Sequence, residues 1–143
     1  MVLHLIKLCV GISEPLELID RQLARFRARE FAGEPSEYYH VTRSTPRRRG
    51  EILAGGSLYW VIKGKVQLRQ PIIDMRAKSG VNGINHCQIV LAPIHMFTNP
   101  IPKRAFQGWR YLSAQDAPDD LSKADESEIP CKLKRELAEL GLL

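Results

Sequence analysis

Cysteine is sparse in this chain: Cys9, Cys87 and Cys131 stand far apart and are odd in number. No CxxC pair exists for zinc or dithiol chemistry. Disulfide scaffolds are dense and even in cysteine, so a reducing, cytoplasmic setting is expected, with the thiols acting as small hydrophobes. Long apolar runs are missing as well. The stretch Leu58 to Ile62 is far below the about 20 residues of a membrane helix, so no membrane partner is expected. The N-terminal Val2-Leu3-His4-Leu5-Ile6-Lys7-Leu8-Cys9 has no charged leader and no small-residue cleavage site; it reads as a first strand. GxSxG, HExxH, HxxxH and the phosphate-loop pattern are all absent, which removes the sequence support for those hydrolase, metallopeptidase and nucleotide-triphosphate chemistries. No metal or cofactor is expected.

Acid is scarce until late in the chain. The net charge of +5 over 143 residues hides a segment, Asp116 to Glu128, that carries −5 with six carboxylates against Lys123 alone. Residues 129–143 carry +1, which leaves +9 on everything before Asp116. The expected organisation is a basic domain over 1–115, with an acidic linker and a C-terminal helix over 116–143 packed on the same domain. Length and an ordinary apolar content fit one domain with a real core.

Periodicity supplies the elements. Ser13 is placed to cap a helix with Glu14 and Pro15 in its first turn. Leu16, Ile19, Leu23 and Phe26 form its apolar stripe, and Gly33 and Pro35 end it. Arg21, Arg25 and Arg29 form a row on another face, with Glu17 spaced to pair with Arg21. Tyr38–Thr42 reads as a short strand and 46–56 as a polar connection. Ser57–Ile62, apolar on both faces, reads as a central strand. Lys63-Gly64 reads as a tight turn into a strand on which Val66 and Leu68 point one way and Lys65, Gln67 and Arg69 the other. Pro71 marks an edge or bulge. Cys87, Ile89 and Leu91 alternate along another strand. Prolines 93, 100 and 102 predict irregular extended chain, Phe106–Leu112 an aromatic patch packed on the sheet, and Pro130 the start of a last helix. The class is α+β, with a mostly antiparallel, curled sheet.

Three basic groups stand out. Arg43, Arg47, Arg48 and Arg49 cluster after a strand. Lys63, Lys65 and Arg69 occupy a hairpin. Lys103, Arg104 and Arg110 surround the Phe106–Tyr111 aromatics. Convergent, they would make a positive face on which Tyr59, Trp60 or Trp109 could stack bases, the combination that binds RNA and single strands. The plain alternative is a solvated basic surface over buried tryptophans. A second reading is a small-ligand enzyme with a pocket beside the Gly55–Lys63 strand, using His40, Arg43 and Lys63. Cys87 with His40 or His4 could form a nucleophile and base only if folding joins them. A third reading is a protein-interaction domain, its acidic segment lying on its own basic body. Oligomeric state is not encoded in any of these patterns.

The runs LHLIKLCVG, GGSLYWVIKG with RQPIIDM, FQGWRYL and the terminal ELAELGLL resemble an uncharacterised bacterial family typical of alphaproteobacteria, domain of unknown function 1489. That resemblance covers nearly the whole chain, implies a cytoplasmic bacterial protein and supplies no catalytic residues. In outline, a first strand, a helix and an aromatic-rich antiparallel sheet are also similar to small PUA-like barrels such as the ASCH and EVE groups. Those mostly bind RNA or modified bases, a fold-level analogy only.

Overall fold

A computed structural model describes residues 2–80, 83 and 85–121. The expected C-terminal helix and the acidic stretch beyond Leu121 lie outside them. The chain runs β1 (Leu3–Leu8), α1 (Pro15–Phe31), β2 (Tyr38–Thr42), α2 (Arg49–Leu53), β3 (Ser57–Ile62), β4 (Lys65–Ser79), β5 (Asn85–Leu91), β6 (Met96–Pro102) and β7 (Trp109–Ser113).

β3 is the centre. All six of its residues are buried, as a strand covered on both faces requires. It lies parallel to β1, with Leu5 opposite Leu58, and antiparallel to β4. The sheet is therefore mixed, though mostly antiparallel, in the order β2-β5-β4-β3-β1-β7. Lys63 and Gly64, both at positive φ, close the β3–β4 hairpin as expected.

β4 organises the rest. Its first half pairs with β3 on one edge and β6 on the other; beyond Pro71 its second half pairs with β5. Register shifts between Trp60 and Val61, Val66 and Leu68, and Ile72 and Asp74 bend it. One of these corrects the strict alternation expected from sequence. Val66 joins a cluster with Ile6, Tyr59, Val61, Phe106 and Leu112, whereas Leu68 joins the main core with Leu5, Leu58, Trp60 and Ile62. A bulge had inverted the pattern between them. Prolines 100 and 102 do not prevent a strand: β6 has a ladder with β4 on one side and on the other only an isolated bridge from Thr98 to Asp120, so the proline positions need no N–H on that outer side.

α1 covers the main core face through Pro15, Leu18 and Ile19, with Leu16, Leu23 and Phe26 half-buried. Its N-cap is Glu14, not Ser13; the Ser13 N–H instead reaches the Glu17 carboxylate at 3.5 Å. Within the expected polar connection, α2 drops Ile52 fully into the core. Gly56 follows, where a Cβ would sit 2.2 Å from the Leu3 carbonyl oxygen and 2.7 Å from that of Ile52. The Gly55-Gly56 pair thus serves the close approach of β1.

The curl brings the sheet's two ends toward each other. His40 on β2 meets Trp60 on β3 edge-on at 5.0 Å between ring centroids, although two strands separate them in the sheet order. On the far end, the Trp109 indole N–H donates to the Ser44 carbonyl at 3.2 Å. β2 and β7 share no ladder, so the sheet stays open along a seam between them.

Candidate functional site

The seam and the adjoining end of α1 enclose the most distinctive surface of the molecule. Side chains alternate along β1, so Lys7 shares the core-facing side with Leu3 and Leu5 and stands opposite Trp60. α1 presents Leu18, Arg21, Gln22, Arg25 and Arg29, spaced three and four apart, above it. From β2 come Tyr38 and His40, on the face of their partners Leu91 and Ile89. Together these side chains line a cavity of about 170 Å³. Lys7 also borders a wider cleft of about 760 Å³ formed by Thr42, Arg43, Ser44, Gln107, Gly108 and Trp109. Cavity and cleft meet at Lys7 and run along the seam. Five cations line them and, among the described residues, no carboxylate does.

Below the cavity lies a buried polar chain. Trp60 Nε1 donates to Gln70 Oε1 at 2.9 Å, and Gln70 and Gln22 exchange amide hydrogen bonds of 2.9 and 2.7 Å. His95 Nε2 adjoins Gln22 Oε1 at 2.7 Å. His40 Nε2 and His95 Nδ1 are buried with no partner among the described residues. Burial pushes both imidazoles down to about 4, with Lys7 and Arg25 adding to the effect at His40. Both rings are neutral at pH 7. Burial also raises the Cys9 thiol, at the cavity wall, to about 11. It stays protonated and is a poor nucleophile.

Arg29 is held in place by its own contacts. Its guanidinium sits 3.9 Å from the Tyr39 ring centroid and donates to the Glu37 carbonyl at 2.7 Å. Among the described residues, Lys7, Arg21, Arg25, Arg29 and Arg43 form no salt bridge.

The basic residues singled out from sequence divide sharply. Arg43 and Trp109 reach the seam cleft, and Trp60 lines the cavity although it is 2% exposed. The others lie elsewhere. Arg48 pairs with Glu51 and lies over Tyr111. Arg49 bonds Asp74 and the Met75 carbonyl. Arg69 forms two 2.7 Å bonds to Asp120 and a third to Ser57 Oγ. Arg110 covers Phe106. Tyr59 is buried against His4. Arg47, Lys63 and Lys65 are exposed away from the cleft lining. The three expected basic groups therefore do not gather in this cleft.

The pocket imagined beside the Gly55–Lys63 strand exists in altered form: His40 enters it, Arg43 lies in the neighbouring cleft, and Lys63 is on the far turn. Cys87 is fully buried on β5. The α1 arginines, expected only as a row on another helix face, line this cavity. The missed signal was Lys7, a cation on the inward side of an otherwise apolar strand, which calls for a site above it.

The family described as "Protein of unknown function (DUF1489)" matches residues 5–143. The chain belongs to that family. No curated protein and no solved structure matches it. Among the described residues, no helix is long and apolar enough to cross a membrane, and no three His, Cys, Asp or Glu side chains gather as a metal site would need.

Proposed function

We propose that this DUF1489 protein binds single-stranded nucleic acid, RNA in the first instance, along the seam between β2 and β7. The observation that carries this reading is the run of five cations, Lys7, Arg21, Arg25, Arg29 and Arg43, with aromatic rings between them and, among the described residues, no lining carboxylate. Phosphates need convergent cations, and unstacked bases need apolar or aromatic walls. A duplex keeps its bases inside and has no use for a cavity that narrow. The helix seated over one end of a curled antiparallel sheet also fits the PUA-like outline, as part of the same proposal.

The enzyme reading is weaker here, since burial keeps the Cys9 thiol protonated and leaves His40 and His95 weak bases.

Fluorescence anisotropy of labelled single-stranded and duplex RNA and DNA across a salt series tests the proposal. Log affinity should fall linearly with log salt, losing roughly 0.7 in slope for each cation removed on a single strand. Arg21→Ala with Arg25→Ala should flatten the slope by about 1.4. Arg69→Ala and Arg110→Ala should leave it unchanged. Absence of binding at low salt overturns the reading.

A further inference from the structure

Building on the strand-binding reading, we infer that the cavity beneath α1 holds the end of the bound strand and recognises a terminal phosphate monoester there.

The placing of the charges points to it. Lys7, Arg21, Arg25 and Arg29 line the cavity of about 170 Å³, whereas the cleft of about 760 Å³ beside it has Arg43 and the shared Lys7. A track built only for linking phosphates would spread its cations along its length, because every diester carries the same single charge. Here they crowd at the narrow end. A terminal monoester carries about −1.5 to −2 near pH 7 and presents three oxygens that accept strong hydrogen bonds. Its charge and acceptor count match such a cluster better than a linking diester does.

The geometry of α1 makes the same case. Arg21, Arg25 and Arg29 stand four apart along the helix, a spacing at which like charges repel. Among the described residues, neither they nor Lys7 form a salt bridge that would relieve it. An anion seated between the helix and β1 removes that repulsion, and guanidinium forks match phosphate oxygens in pairs. Arg29 is already held by the Glu37 carbonyl and the Tyr39 ring, so it loses little freedom on binding. Arg21 and Arg25 are exposed at the rim, where an incoming phosphate meets them first. The remaining walls suit the nucleotide that bears the phosphate: Tyr38, Trp60, Ile12 and Leu18 offer aromatic and apolar contact to its sugar or base. Such contact tolerates any base, so the preference concerns the end of the strand and not its sequence. From there the chain continues past Lys7 toward Arg43 and Trp109.

Anisotropy of the full chain with one single-stranded RNA sequence, labelled at an internal base and prepared in four forms, tests the inference. The forms carry a 5′-phosphate, a 3′-phosphate, hydroxyls at both ends, or no ends at all because the strand is circular. One of the two phosphorylated forms should bind roughly tenfold or more tightly than the hydroxyl and circular forms, and which one it is assigns the end. Arg21→Ala with Arg25→Ala should erase that advantage. Arg27→Ala, at an exposed α1 position outside the cavity lining, removes the same kind of charge and should keep it. Equal affinity of all four forms for the unaltered protein, or an advantage that persists in the double variant, overturns the inference. If the four forms bind equally with a steep salt dependence, the strand-binding reading survives alone. No binding of any form at low salt overturns both.

Discussion

At the scale of single residues, charge alone did not locate the site; what surrounds each charge did. Arg69 and Arg25 look alike in the sequence. Arg69 is spent on Asp120 and Ser57, whereas Arg25 lines the cavity and, among the described residues, forms no salt bridge. Arg69→Ala should therefore lower stability by about 1–2 kcal/mol, read from urea midpoints, because it strands the Asp120 and Ser57 partners in a half-buried site. Arg25→Ala should weaken nucleic-acid affinity with little loss of stability. Gly56 is a second case. Its Cβ has no space against two backbone carbonyls, so Gly56→Ala should cost about 3 kcal/mol or more, checked by the same denaturation. Sequence reading could identify the glycine pair and its position before a strand. The Leu3 carbonyl pressing on it belongs to a strand about 50 residues away, and no local pattern carries that contact.

At the scale of elements, β3 and the hairpin after it were legible because both faces of β3 are apolar and the turn chemistry at Lys63-Gly64 is specific. β6 was not. Its prolines argue against a strand only if the strand is central, and edge position is a property of the sheet. The α1 stripe was half read: Ile19 packs inward, but Leu18 and Gln22 do too, and they bring the arginine row over the cavity, with Arg21 and Arg25 exposed at its rim. Gln22 and Gln70 tie α1 to β4 through paired amide bonds. Gln70→Leu would leave the Trp60 indole N–H and the Gln22 amide buried without that partner. The expected loss is about 2–3 kcal/mol, with a change in the near-ultraviolet circular dichroism of Trp60.

At the scale of the whole molecule, the neutral imidazoles make stability depend on pH. His40 and His95 titrate near 4 in the folded protein against 6.5 when solvated. Between those values the unfolded chain binds more protons, so stability is complete above about pH 6.5 and falls as pH drops through 4. Each histidine contributes a slope of at most about 1.4 kcal/mol per pH unit in that window. Urea midpoints between pH 7 and 4.5 should show the decline, and His40→Gln should make it shallower. The topology has a further consequence, for the order of folding. The β3–β4 and β4–β5 ladders join neighbouring strands, while β1 reaches its parallel partner only by closing a loop from Leu5 to Leu58. Closure over that distance costs entropy before any contact repays it, so we expect β1 to dock late, with Leu5→Ala accelerating unfolding and hardly slowing folding. Lys7 arrives with that strand. The binding seam is therefore assembled in the last cooperative step, and a chain that has folded everything else still has nowhere to hold its ligand.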